Sequence, residues 1–162
     1  LNKQFTRYGI LFVISAPSGA GKTTLVEALR QTPNFLYSVS CTTRAPRAGE
    51  IENEDYQFLS DRDFRARVAA GDFLEHAQVH GDFYGTLRGP LLTNLKNGID
   101  VLIDIDTQGA AQLRDRYPDA VLIFILAPSV KDLEQRLRER RSDAEVEIER
   151  RLVRAREEIV LW

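Results

Sequence analysis

The chain has 162 residues, 43% of them hydrophobic and 28% charged. That is the make-up of one soluble globular domain and excludes a disordered tail, a fibre and a membrane bundle. Lys and Arg number 22 against 24 Asp and Glu, so the net charge of −2 leaves no polybasic footprint for a nucleic-acid backbone; one cysteine, Cys41, excludes a disulfide framework, and two histidines, His76 and His80, leave little for a His-based metal centre.

Ile10 to Ile14 is a short apolar run without strict alternation, the pattern of a parallel strand covered on both faces. A helical pattern follows, Lys22 to Gln31. Residues 33–98 differ: they are rich in Arg, Gly, aromatic and acidic residues, with only short apolar pieces such as Tyr37-Ser-Val and Tyr56-Gln-Phe-Leu. They are read as an insertion of small antiparallel strands with helices at Asp61 to Ala70 and Arg88 to Lys96, and such insertions often carry the substrate. Val101 to Ile105 and Val121 to Leu126 are two more buried strands, separated by a helix from Thr107 to Arg116. Beyond them Val130, Leu133 and Leu137 recur at helical spacing, as do Ile148, Leu152, Ala155, Ile159 and Trp162. From Lys131 on there are nine basic and nine acidic residues, a balance that suits a solvated helix surface with i,i+4 pairs.

The alternation of strand and helix predicts an α/β fold, a parallel sheet flanked by helices, in a single domain over 1–162 with its core at 8–32 and 99–162. No apolar run approaches the ~18 residues of a spanning helix. The N-terminus has no signal-peptide pattern, which makes the cytoplasm the expected location. The chain contains no Met, begins Leu-Asn-Lys-Gln and ends Ile-Val-Leu-Trp, so trimming at both ends is expected.

The strongest local signal is Ser15-Ala-Pro-Ser-Gly-Ala-Gly-Lys-Thr23, directly after the first strand and before a helix. Strand, Gly-rich loop and helix are the context of a phosphate loop. Gly19 and Gly21 let successive N–H groups turn inward toward phosphate oxygens, and the helix adds its N-terminal dipole. Lys22 supplies a mobile charge, and the Thr23 hydroxyl is placed for Mg²⁺. The strict pattern starts with Gly where this chain has Ala16. Asp104 and Asp106, in Leu102-Ile-Asp-Ile-Asp106, follow a strand and are expected to act on Mg²⁺ directly or through water, or to hold a substrate group. For Asp106, capping of the helix from Thr107 stands as an equal reading. A phosphate loop alone serves many reactions, so the insertion decides.

Within it, Ser40-Cys-Thr-Thr-Arg44-Ala-Pro-Arg47-Ala-Gly-Glu50 holds two arginines three residues apart, a short clamp for phosphate oxygens. Tyr56, Glu75 and Tyr84 follow. Cations and phenols suit the phosphate of a nucleoside monophosphate. One carboxylate suits the N1–H and 2-amino group of guanine, a donor pair adenine lacks.

These segments resemble the guanylate kinase family, bacterial type, from the Ile10 strand to about Leu152. Six motifs carry the resemblance: the phosphate loop, Ser-Val-Ser-Cys-Thr-Thr-Arg-Ala-Pro-Arg-Ala-Gly-Glu, Asp-Tyr-Gln-Phe, Phe-Leu-Glu, Phe-Tyr-Gly-Thr and Leu-Ile-Asp-Ile-Asp-Thr-Gln-Gly. The resemblance implies a P-loop NTPase-like core, a small α+β GMP-binding insertion and a helical lid over about 134–152. The implied activity is transfer of the ATP γ-phosphoryl to GMP in purine nucleotide metabolism, with Mg²⁺ as cofactor. ATP would meet Ala16, Pro17, Ser18, Gly19, Ala20, Gly21, Lys22, Thr23 and Thr24. Ser40, Glu75 and Thr86 would read the guanine with Asp104 nearby, while Arg44, Arg47, Tyr56 and Tyr84, with Gly85 beside them, would hold the GMP phosphate. Lys22, Arg44 and the lid arginines Arg136, Arg140 and Arg151 would neutralise charge on the transferring group. Thr23, Asp104 and Asp106 would serve Mg²⁺. Family members usually have Gly where this chain has Arg141, and they continue with a further strand and helix beyond the point where this chain ends.

The expected partners are ATP and GMP, with no nucleic acid and no membrane; homo-oligomerisation is left open. Two other functions fit the resemblance in part. One is a guanylate-kinase-like binding module without catalysis, against which the intact Gly21, Lys22, Thr23 and lid arginines argue. The other is a related P-loop kinase with another acceptor, against which Glu75, Ser40 and Thr86 argue. Cys41 is expected to pack, Asp55 to form a turn, Arg62, Arg65 and Arg67 to be solvated, and Glu50 to pair with Arg44 or Arg47.

Overall fold

A computed structural model describes residues 7–79, 81–139 and 145–160. In chain order the elements are β1 (Leu11–Ser15), α1 (Lys22–Arg30), β2 (Leu36–Tyr37), β3 (Cys41–Thr42), β4 (Gln57–Phe58), α2 (Asp61–Ala70), β5 (Phe73–Val79), β6 (Asp82–Leu87), α3 (Arg88–Lys96), β7 (Val101–Asp104), α4 (Thr107–Arg116), β8 (Val121–Phe124), α5 (Val130–Glu139) and α6 (Glu145–Val160).

The core is a parallel sheet in the order β2-β7-β1-β8. Its middle strands are apolar on both faces because helices cover both. Val13, Val101 and Ile103 pack with Leu91 and Leu95 of α3 and Ala110 and Leu113 of α4. Ile14 and Leu102 on the other face pack with Val26 of α1. A third cluster joins Ala20 of the phosphate loop to Leu133 and Leu137 of α5 and to Ile148, Leu152 and Ala155 of α6. The fold therefore has the expected parallel sheet flanked by helices. β8 lies at an edge of this sheet as described, and its Val121 and Ile123 are exposed.

The second sheet runs β4-β3-β6-β5. Two details depart from the sequence reading. Leu36–Tyr37 sits in the core sheet, because Leu36 N–H donates to the Asp100 carbonyl and Ser38 N–H to that of Leu102, a parallel ladder with β7. The insertion's own sheet begins only at β3. That sheet is mixed, since β3 pairs parallel with β4 and antiparallel with β6. β5 and β6 form an antiparallel pair whose register sets Glu75 opposite Thr86. Helix α2 starts where the Ser60 hydroxyl accepts from Asp63 N–H and ends at Gly71, in the left-handed region at φ 73°. It seats Phe64, fully buried, against Phe73 and Phe83 at ring separations of 4.5 and 5.4 Å.

The charged C-terminal helices carry the expected pairs, Arg138 with Glu134 and Arg154 with Glu158 at i,i+4. Arg140, Arg141, His80 and Trp162 lie outside the described residues. Among the described residues no helix is long and apolar enough to cross a membrane.

Candidate active site

The C-terminal end of β7 and the residues after it, one face of α1 from Lys22 to Arg30 and the insertion line a cavity of about 480 Å³. Ligands of open α/β sheets bind at this end of the strands. The phosphate loop reaches this cavity through Lys22 and Thr23. Gly19 and Gly21 hold φ of 89° and 100°, which side-chain-bearing residues avoid, and Gly21 leads directly into α1. A Cβ at Gly19 would also lie 2.8 Å from Leu137 Cδ2, so α5 presses on the loop itself. Lys22 Nζ lies 3.2 Å from Asp104 Oδ2 and donates to the Ile105 carbonyl at 3.2 Å, which ties the loop lysine to the end of β7.

Two of the three arginines expected in a lid, Arg136 and Arg151, reach this loop. Arg136 Nη1 donates to the Ala20 carbonyl at 2.9 Å. Arg151 donates to the Ser18 hydroxyl from Nε at 3.0 Å and from Nη2 at 2.6 Å. Arg136 and Arg151 stand on different helices, and the apolar contacts of Leu133, Leu137, Ile148 and Leu152 bring those helices together. Arg140, the third, is outside the described residues.

The opposite wall comes from the insertion. Arg44 is gripped on two edges by Glu50, Nη1 to Oε2 at 3.0 Å and Nη2 to Oε1 at 2.7 Å. Glu50 also accepts from Arg47 N–H at 2.7 Å, so the expected pairing is present, and the Arg44 guanidinium holds the Glu50 carboxyl below its usual range. Arg44 stacks 5.4 Å from the Tyr56 ring, and Tyr56 meets Tyr84 edge to face at 6.1 Å. Arg44, Arg47, Tyr56, Tyr84 and Gly85 all line the cavity.

Deeper in, Glu75 is 3% exposed yet lines the cavity. Thr86 donates to its Oε1 at 2.7 Å. Burial pushes the Glu75 carboxyl up to about 7; the Thr86 hydroxyl opposes the rise, nearby Asp106 adds to it and Lys22 opposes it. Thr86 is itself fully buried and absent from the lining, so its hydroxyl serves the carboxylate. Ser40 lines the cavity with a buried hydroxyl that has no hydrogen-bond partner among the described residues.

Asp106 accepts from Gly109 N–H at 2.9 Å and so caps α4, while its other oxygen takes Gln108 at 3.2 Å. It lines the cavity with Thr23 and Asp104, so it caps the helix from a position on the cavity wall. Cys41 is fully buried and its thiol is pushed up to about 11 by that burial, the behaviour of a packing residue. Arg65 pairs with Asp61 on the exposed face of α2. Asp55 accepts from Ile51 N–H at 2.8 Å and shapes its turn.

Sequence reasoning passed over three residues that shape the site. Tyr37 lines the cavity and its hydroxyl donates to Asp104 Oδ1. Arg30 reaches the cavity from the end of α1. At Gly109 a Cβ would lie 2.4 Å from Glu75 Oε2 and 3.3 Å from Asp106 Oδ1. Of the three, only Gly109 left a trace in the sequence, as a glycine in the first turn of a helix.

A family model described as guanylate kinase matches residues 8–161. The guanylate kinase of Lawsonia intracellularis is 53% identical over 152 residues, which are 93% of this chain and 72% of that protein. That of Xanthomonas oryzae pv. oryzae is 48% identical over 153 residues, 94% of this chain and 75% of the relative. The crystal structure of guanylate kinase from Anaplasma phagocytophilum aligns with a TM-score of 0.76 at 36% identity, covering 96% of this chain and 72% of that one. With a phosphate loop, an arginine–tyrosine wall and a buried carboxylate in one cavity, and with relatives that match nearly its whole length, the chain belongs to the guanylate kinase family.

Proposed function

We propose that the cavity takes GMP as acceptor and the phosphate loop takes ATP as donor, giving GDP and ADP. The observation that carries this reading is Glu75, a carboxylate 3% exposed that faces the cavity and is braced by Thr86. Ionised, it accepts from guanine N1–H and the 2-amino group, and the unpartnered Ser40 hydroxyl supplies a further contact to the base. Arg44 and Arg47, with the phenols of Tyr56 and Tyr84, hold the acceptor phosphate, and Glu50 keeps Arg44 aimed. The residues from Ala16 to Thr24 cradle the donor phosphates.

The acceptor is already anionic, so no base is required. A GMP phosphate oxygen attacks the γ-phosphorus in line, the bond to the β–γ bridging oxygen breaks, and ADP leaves with that electron pair. Catalysis is then positioning and charge neutralisation by Lys22, Arg44, Arg136 and Arg151, with Arg140 assigned the same role. Thr23, Asp104 and Asp106 offer hard oxygen donors on one wall, the chemistry that Mg²⁺ accepts alongside water and phosphate. When bound, Mg²⁺ supplies positive charge to the donor phosphates, with Asp104 and Asp106 holding it directly or through its waters. Lys22 Nζ rests on Asp104 at 3.2 Å, so it is the side chain that would pass from carboxylate to phosphate.

Glu75→Gln tests the base assignment. The variant presents an amide N–H₂ in place of one acceptor, so kcat/KM with GMP falls by about a hundredfold while that with AMP changes little. Unchanged preference for GMP over AMP would remove Glu75 from the role.

A further inference from the structure

We propose that Arg30 and Tyr37 are positioning residues: together they form a strut that fixes the 51–56 turn of the insertion and the carboxylate of Asp104 as one unit. The inference rests on the assignment of Asp104 and Tyr56 to the acceptor site. Arg30 closes α1, the helix that begins at Lys22. Its guanidinium donates to the Glu54 carbonyl and lies 3.8 Å from Asp55 Oδ1, so it holds the turn that leads into Tyr56. The same guanidinium sits over the Tyr37 ring, 4.3 Å from its centre. The Tyr37 hydroxyl donates to Asp104 Oδ1, and Asp104 Oδ2 faces Lys22. A continuous set of contacts thus runs from the insertion's turn, through α1 and β2, to the end of β7 and the loop lysine.

Each link has a separate physical role. A carboxylate with one oxygen held by a phenol cannot rotate when Lys22 leaves the other oxygen for a phosphate. The phenol stays in place because its ring is clamped under Arg30 and its strand is paired with β7. Arg30 can clamp it only while its own far edge is held by the turn. Loss of the hydroxyl therefore frees Asp104 alone, whereas loss of the guanidinium frees the turn as well.

The test uses Arg30→Leu, Arg30→Lys and Tyr37→Phe, with Tyr37→Phe also placed in an Asp104→Ala background. GMP and ATP affinities are measured by calorimetry without metal, and amide hydrogen exchange is followed at 51–56. Tyr37→Phe and Arg30→Leu each weaken GMP binding about tenfold and leave ATP within about twofold, the loss expected for one hydrogen bond to a charged group. Arg30→Leu speeds exchange at 51–56, Arg30→Lys does so less, and Tyr37→Phe leaves it unchanged. In Asp104→Ala the further loss from Tyr37→Phe disappears. Equal weakening of GMP and ATP, or the same loss from Tyr37→Phe with and without Asp104, would overturn the strut. If the parent chain binds no GMP the acceptor reading falls, and the exchange response to Arg30→Leu then decides the strut by itself: faster exchange upholds the hold on the turn, and unchanged exchange removes it.

Discussion

Glu75 is a carboxylate with an ordinary value of 4.5 that burial lifts to about 7, and the sign of its pH effect follows from that direction. Between these two values the folded chain keeps a proton that the unfolded chain has lost. Stability from this group is therefore fully present below 4.5 and is lost as pH rises through 7, a cost of roughly 3 kcal/mol once ionisation is complete. Under the proposed assignment GMP would reverse the demand, because its two donors need the ionised form. The KM for GMP should fall as pH rises from 6 to 8, by at most about tenfold per unit. Glu75→Gln should remove that component while keeping whatever the acceptor phosphate itself titrates. A KM profile identical in the two proteins would contradict the assignment. Gly109 belongs to the same scale. Gly109→Ala should raise the KM for GMP about tenfold and leave that for ATP unchanged, because the new methyl group displaces Glu75 Oε2 and costs a hydrogen bond to the base. The carboxylate was legible from its residue type and motif. The need for bare backbone beneath it was not, since it depends on how close α4 approaches β5.

At the scale of elements, α5 and α6 act on the phosphate loop through two sorts of contact. Leu133 and Leu137 bury against Gly19 and Ala20, and Arg136 and Arg151 bond to Ala20 and Ser18. The two can be separated. Leu137 is fully buried, so Leu137→Ala should destabilise the fold by about 2–5 kcal/mol in a denaturant titration. Arg136→Ala should leave stability nearly unchanged and lower kcat by about a hundredfold or more, since its guanidinium is assigned to the transferring group. Equal stability losses in the two variants would make Arg136 a packing residue. Helix existence was readable here because the apolar stripe and the i,i+4 charges agree; α2, α3 and α4 also match their expected bounds. Small antiparallel strands were expected in this region, but the β5–β6 pair was not located. Its one-sided burial is broken where Phe73, Leu74 and Glu75 are all buried at a register shift, which hides the period of two. β2 was placed in the wrong sheet because two residues carry no pattern, and only the ladder with β7 assigns them.

For the whole molecule, the proposed donor side and acceptor side come from different sheets and meet at one cavity. The parallel sheet supplies the loop, Lys22 and Asp106, the second sheet supplies Arg44, Tyr56, Glu75 and Tyr84, and Asp104 at the end of β7 meets both Lys22 and Tyr37. The order of motifs along the chain is enough to group these residues into the two sets. The distances between the two halves were not, because they depend on contacts such as Arg30 with the 51–56 turn, which join residues far apart in sequence and different in type. The central claim is that both halves serve one transfer between ATP and a guanine nucleotide. It is tested most directly by initial rates of ADP formation from ATP and Mg²⁺ with GMP, AMP, CMP and UMP in turn. The account predicts turnover with GMP that exceeds each of the others by about a hundredfold or more, the discrimination expected when a buried carboxylate is left unpaired by the wrong base. Comparable rates with AMP, or ADP release that GMP does not stimulate, would contradict it.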